Sequence, residues 1–455
     1  MPLRERFVLT PHFFKALCAL ALPIALQDLI KFSLALTDNL MVGSISQDAL
    51  SAVTLANQPF FVFSLLSFGL SSGGGVLAAQ YFGKGDKSAI SKTVAITLSV
   101  GILCAGFFGL ATLLFPAEVM RIFTSDPRII ALGADYLRIQ GWTYFLFGFS
   151  NTLIMLMRST RDVKPGLFIA LGAFFANLFF NWILIFGHLG FPALGVTGAA
   201  IGTLLARALE CAAAVLYIRF CDRHLGFRFK KLFHFDKLLF KDFIHYSIPV
   251  AVNEGGWALG IAAQSVVLGH LNSSVIAASS IVATAQQIAL VVIFGIAGAG
   301  TPIIGNLLGS GKDRNLVKPY ANTILLSSIA VGLIAGTLLL LIGNYFFIPL
   351  YRIPAETQHL ASVLLLIQCL TILTQSYTTP AIVGILRAGG DTIFTSALDI
   401  GSLWLFAIPL GYLAGFHWAF PVPLVFLLLH SDEIVKLPIL IRRVQRRKWI
   451  RNITR

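Results

Sequence analysis

Charge is what this chain has least of. Only 12% of its 455 residues are Asp, Glu, Lys or Arg, against roughly 25% in ordinary soluble domains. No extended polar stretch separates the apolar runs, so no soluble domain is expected. Cysteine is scarce too: Cys18, Cys104, Cys211, Cys221 and Cys369 are odd in number and scattered, most of them inside apolar runs. Without a C-x-x-C spacing they exclude a redox or metal pair and read as inert core. There is no G-x-x-x-x-G-K-[ST], which excludes ATP as the direct energy source, and no H-E-x-x-H for intramembrane metalloproteolysis. Paired acidic motifs that would hold Mg2+ for prenyl transfer are missing as well, so an enzyme is not expected. The opening "MPLRERFVLTPHFFKALCALALPIAL" has a basic start and an apolar run, but no small-residue cleavage site follows. It reads as a first membrane span rather than a signal peptide.

What fills the chain instead is apolar sequence, 57% of all residues, with a mean hydropathy of +0.83. Segments of about 20 apolar residues can cross a bilayer as helices, and lipid leaves no water to satisfy backbone groups in any open structure. Runs bounded by Gly, Pro and charge place spans at 13–40, 50–75, 89–115, 129–157, 165–187, 193–219, 242–269, 275–304, 318–348, 358–386, 393–415 and 418–441. The expectation is an all-α integral membrane protein with twelve transmembrane helices. Of 34 Lys and Arg, 28 fall at the amino terminus, in the loops after even-numbered spans and in the tail. That bias puts both termini in the cytoplasm, with the chain in the plasma (inner) membrane. It also explains the net charge of +14 without nucleic acid as a partner.

The chain repeats itself. Leu22-Pro23-Ile24 is answered 226 residues later by Ile248-Pro249-Val250, and Val42-Gly43-Ser44 by Leu268-Gly269-His270. The same offset joins Gly83 and Gly85 to Gly309 and Gly311, while "RSTRD" from Arg158 is answered by "RAGGD" from Arg387 at an offset of 229. Two pseudo-symmetric six-helix bundles follow, 1–219 and 242–441, joined by a basic linker at 220–241 and followed by a basic tail at 442–455. Six spans per half make the repeats parallel, related by an axis along the membrane normal, with a cleft between them.

Three stretches now carry a resemblance: the spacing from Pro23 to Asp38 in the first span, "QYFGKGD" from Gln80 to Asp86, and "NLFFNWILIFGHLGFPALGVTGAAIGT" from Asn177 to Thr203. Over essentially its full length the chain resembles the multidrug and toxic compound extrusion (MATE) family. That resemblance implies a central cavity between the bundles and export of organic, often cationic, molecules by an antiporter driven by inward proton or sodium movement. It also implies that Asp38, Asn177, Asn181 and the hydroxyl of Thr203 lie together. Proton-driven members often have Asp where Asn181 stands, leaving one carboxylate here. Sodium-linked members have an acid near the position of Trp257 and a tenth-span Asp, where this chain offers only Gln375, Ser376 and Tyr377. Protons are therefore the expected coupling ion over sodium, with no cofactor and a monomeric protein. A lipid-linked precursor flippase of a related superfamily is the alternative, but it would line its cleft with cations.

The residues give their own reading beside this. A carboxylate at Asp38, in a bundle interior, can take up a proton when dry and release it when wet. Asn177 and Asn181 are spaced i, i+4 and share one helix face, able to bond Asp38, hold a cation or simply hold helices together. Pro23 and Pro249 remove a helix hydrogen bond mid-span, as a moving hinge or a static kink. Glu254 lacks a basic neighbour within a turn and is a second coupling candidate; Asp399 is a third, or a capping or paired residue. Asp28, the repeat counterpart of Glu254, has Lys31 at i+3 and is expected to pair with it, as Arg207 is with Glu210. Gln264, Gln286, Gln287 and Gln368 suit substrate contacts or packing, and Tyr377 joins the substrate-binding set.

Overall fold

The computed structural model describes residues 6–227, 232–233, 236–311, 314–351 and 353–455. Parts of the linker at 228–231 and 234–235, the first five residues, positions 312–313 of the repeated glycine loop and Arg352 lie outside the described residues. The described chain is helical throughout, with no strand. Helices α1 (Pro11–Gly43), α2 (Gln47–Lys84), α3 (Lys87–Leu114), α4 (Pro127–Ser159), α5 (Lys164–Phe186) and α6 (Gly195–Phe220) form the first six spans. The second six are α7 (Lys237–Gly269), α8 (Ser273–Ser310), α9 (Arg314–Leu350), α10 (Ala355–Leu386), α11 (Thr392–His417) and α12, which comes in two pieces, Val422–Leu429 and Ser431–Gln445. Among the described residues, nine helices are long and apolar enough to cross a membrane by composition. The other three expected spans, α4, α7 and α12, fall outside that set, α12 because it is broken into pieces of 8 and 15 residues. The chain is an all-α, multi-pass membrane protein of twelve spans.

Local chemistry sets the ends. Asp86 caps α3 by accepting from the Ala89 amide at 2.9 Å, and Asp126 caps α4 ahead of Pro127, a proline at the first helical position where no donor is lost. Gly187 closes α5 at φ 75°, a conformation glycine adopts without Cβ strain. The break in α12 at His430 is a departure from the single expected span of 418–441.

The helices form two compact units, one of residues 1–25, 79–85 and 252–455, the other of 26–78 and 86–251. These memberships differ from the two sequence halves. Helix α1 leaves the first unit after Ala25 and α7 leaves the second after Ala251, in each case two residues past the mid-span proline. Within the first unit, the ends of α2 and α8 cross at backbone contact: a Cβ on Gly83 would strike the Asn306 carbonyl, and one on Gly309 the Gln80 carbonyl. Gln80 and Asn306 are themselves 226 apart, so the contact is reciprocal in the repeat.

The tail is not a loose basic segment. Trp449 is fully buried and its indole donates to the Val444 carbonyl at 3.0 Å. Gln80 ties the last residues down, donating to the carbonyls of Ala388 (2.8 Å) and Arg451 (3.1 Å) and accepting from the Ile453 amide (2.9 Å).

Candidate functional site

In the second unit, three helices bring four polar side chains into one chain of hydrogen bonds. The Asn181 amide donates to Asp38 Oδ1 at 2.6 Å and to Asn177 Oδ1 at 3.1 Å, and Asn177 donates to Thr203 Oγ1 at 3.4 Å. The i, i+4 spacing on α5 makes the two asparagines neighbours, and Gly198 and Gly202 let α6 close on them. A Cβ on Gly202 would run into Asn181 Oδ1. Both asparagines are buried and Asp38 is half-buried. Asn181 Oδ1 is buried without a hydrogen-bond partner. Among the described residues no cation hydrogen-bonds this carboxylate; its bonded neighbour is a neutral amide. A carboxylate so held can take a proton without breaking an ion pair.

The first unit is built differently. Glu254 is not alone: Arg387, from the end of α10, lies 3.0 Å away and is only 1% exposed as a side chain. Its partner is 133 residues distant, so the absence of a basic neighbour within a helical turn was no guide. Asp399 accepts from Lys436 at 2.7 Å and from Asn253 at 3.1 Å, so it is paired rather than free. Lys436 also lies 3.0 Å from Asp432 and 2.8 Å from Glu433. An ammonium has three protons, and here each has a carboxylate within reach. Thr378 completes the group by donating to Glu433 at 2.5 Å. Four carboxylates thus share two cations.

These groups line a small cavity of about 90 Å3 that includes Asn253, Glu254, Arg387, Asp399, Glu433 and Lys436. Beside it, sharing Trp257, Leu290, Gln375 and Glu433, is a larger one of about 410 Å3 with Gln264, Gln286, Gln287 and Gln368 in its wall. Gln264 is also bonded to the Leu429 carbonyl at 2.5 Å. Tyr377 is in neither; it lines a separate groove against α9 and α12. Pro23 and Pro249 sit within continuous helices.

Two further expectations divide. Arg207 and Glu210 do pair, at 2.5 Å. Asp28 pairs with Arg158 at 3.2 Å instead of Lys31, while Lys31 donates to Asn151 at 3.2 Å. Helix α4 presents Arg158 across the bundle, and Gln27 accepts from it as well, at 3.0 and 2.5 Å. Sequence reasoning missed Arg158, Arg387, Asp432, Glu433 and Lys436. The signals were there: the arginines open the two "R-x-x-x-D" stretches, and "DEIVK" places a cation at i+3 and i+4 from two acids inside an apolar context. Counting those cations as flanking charge hid them.

A polytopic bundle with buried ionisable groups and polar cavities within the membrane is the architecture of a transporter. A family model described as MatE matches residues 23–183 and 257–413, one stretch in each half of the chain, and the chain belongs to the MATE family of transporters. It is 29% identical to a "Probable multidrug resistance protein NorM" of Rhizobium meliloti over 90% of this chain and 88% of that one. It is 25% identical to the "Uncharacterized transporter YisQ" of Bacillus subtilis over 96% and 95%. Among solved structures it is similar to a MOP superfamily transporter from Pyrococcus furiosus, at a TM-score of 0.85 and 17% identity over 95% of each chain. The MATE transporter VcmN of Vibrio cholerae, as an aspartate-to-asparagine mutant, gives a TM-score of 0.86 at 15% identity over 96% of this chain and 97% of that one. At these identities the structures speak for the fold alone.

Proposed function

We propose that the chain is a secondary active multidrug exporter that moves organic compounds, cations among them, out of the cell in exchange for protons by alternating access. On this reading it works as a monomer in the plasma membrane with both termini cytoplasmic. The observation that carries it is the Asp38 chain: a half-buried carboxylate in a membrane bundle, bonded to neutral amides and so able to change charge without losing an ion-pair partner. Protonation removes the acceptor character that orders Asn181 and Asn177, and so can bias the conformation of α1 against α5. Pro23 and Pro249, each two residues before its helix changes unit, are the positions we assign to bending. Gln264, Gln286 and Gln287 offer uncharged polar contacts to a substrate beside the acidic excess of Glu254, Asp399, Asp432 and Glu433. A flippase for pyrophosphate-linked lipids fits less well, because the buried cations Arg387 and Lys436 are each taken up by carboxylates.

The test is efflux of a fluorescent organic cation from energised inverted vesicles, under an imposed pH gradient and separately under a sodium gradient. Wild type should respond to the pH gradient, and Asp38→Asn should abolish that response. Full activity in Asp38→Asn would remove the site; dependence on sodium alone would replace the proton.

A further inference from the structure

One cavity of the first unit lies outside the Glu254 and Asp399 group described above. It is a groove of about 1090 Å3 at the start of α9, lined by Arg6, Lys318 and Arg447 together with Leu316, Leu326 and Ile329. Its cationic rim is built. The chain before α1 is pinned along α9 by the Val8 amide donating to Thr323 Oγ1 at 2.8 Å and by Asn322 donating to the Arg6 carbonyl at 3.1 Å. Phe13 packs edge-on to Tyr320 with ring centroids 5.1 Å apart. Lys318 is anchored by one bond to the Gln445 carbonyl at 3.2 Å, and an ammonium carries two further protons to offer. Arg447 holds the position just after α12 at φ 56°, a left-handed conformation that glycine fits at least cost and that here carries a guanidinium instead. Among the described residues no Asp or Glu lines the groove. Its apolar side is continuous with the outer surface of α9, where Leu316 and Leu326 are 42% and 46% exposed and would face lipid.

Cations at one end and an apolar wall at the other, where the basic flank of a span meets the hydrocarbon, match one class of ligand. Basic pockets between transmembrane helices take anionic lipid headgroups. We propose that this groove is a binding site for an anionic phospholipid, its phosphate held by Arg6, Lys318 and Arg447 and an acyl chain lying on Leu326 and Ile329. This does not rest on the exporter reading, since the groove shares no lining residue with either polar group and the site is read out by binding alone.

The test is native mass spectrometry of the detergent-purified full chain, titrated with phosphatidylglycerol and, separately, phosphatidylcholine. Wild type should retain phosphatidylglycerol at least about tenfold more tightly, and each cation removed (R6Q, K318Q, R447Q) should weaken retention roughly fivefold, the effect of one interfacial charge. Inorganic phosphate at millimolar concentration should not displace the lipid, because it lacks the chain. Equal retention of the two lipids, displacement by free phosphate, or a triple variant that binds as wild type does would each overturn the proposal. Should the triple variant aggregate, Arg447→Lys against Arg447→Gln decides: retention in the first and loss in the second support the site, and no difference sinks it.

Discussion

The two halves of this chain use one scaffold and charge it differently. Asp28–Arg158 in the first half and Glu254–Arg387 in the second are the same pair, joined across the first and fourth span of each repeat at 3.2 and 3.0 Å. Arg207–Glu210 on α6 falls 226 residues before Glu433–Lys436 on α12, the same i, i+3 pair with its signs exchanged. At the position where the first half has Asp38, the second has Gln264, which bonds the carbonyl of Leu429, the repeat counterpart of Thr203. The recurring pairs are therefore architecture, and Asp38 is the point where the halves part. A carboxylate held by amides can change protonation while its surroundings keep their charges; one locked to Lys436 or Arg387 strands a buried cation when it does. The lesson is that a buried carboxylate's partner, more than its depth, decides what it can do.

Replacing the two counterparts breaks this comparison most directly. Asp38→Asn should cut pH-gradient-driven efflux by at least about a hundredfold, roughly 2.7 kcal/mol in rate terms, while Gln264→Asn should leave the response to the pH gradient in place and act instead on the substrate concentration needed for half-maximal efflux. Comparable losses in both would mean the halves are functionally alike at this position. Fluorescent-cation efflux from inverted vesicles measures both.

A second effect is on stability. Arg387→Gln leaves Glu254, 13% exposed as a side chain, without its cation, which should cost about 3 kcal/mol. The double variant Glu254→Gln with Arg387→Gln should recover most of it, as a thermal unfolding series in detergent would show. Arg158→Gln should cost less, since Asp28 is 31% exposed as a side chain and water can replace the cation. An Arg158 variant as damaging as the Arg387 one would erase the difference between the pairs.

How much of this could be seen in the sequence follows the same physics. Lipid forces apolar runs of fixed length, so the spans and the repeat were legible, and the i, i+4 spacing of Asn177 and Asn181 in an apolar helix was legible too; their grouping with Asp38 and Thr203 was implied by the family resemblance. The partners of Glu254 and Asp399 were not. A cation near a span end reads the same whether it faces water or a buried acid, so Arg387 and Lys436 counted as flanking charge. The Asp28–Lys31 expectation failed because helical neighbours compete with residues across the bundle, and Arg158, fixed also by Gln27, wins. Tyr377 shares a helix with Gln375 but points into another cavity, a distinction of side-chain direction that no span boundary carries.

The crossing of α2 and α8 offers a sharper, smaller test of the repeat. Gly83→Ala and Gly309→Ala each place a methyl against a backbone carbonyl, which cannot move as a side-chain tip can. Each should destabilise by about 1 to 3 kcal/mol, and by similar amounts if the contact is as reciprocal as the sequence offset implies. A loss confined to Gly309→Ala would instead assign the strain to the Gln80 side, which also carries the tail.

The smallest effect is expected where a cation–carboxylate pair is exposed. Lys92 bonds Asp236 at 2.9 Å with side chains 43% and 32% exposed. Its hydrogen bond, followed by that of the Leu239 amide, holds the Asp236 carboxyl below its ordinary value. A lowered value means that the stabilisation is present above the unfolded carboxylate pKa of about 3.9 and is lost as pH falls through the folded one. Lys92→Gln should therefore leave the unfolding midpoint at neutral pH almost unmoved, because solvent screens such pairs, and should raise the pH at which Asp236 titrates, read by carboxyl resonances in a labelled sample. A neutral-pH loss as large as that of Arg387→Gln would mean that burial does not separate the strong pairs from the weak, and the contrast drawn between Asp38 and Glu254 would lose its physical basis.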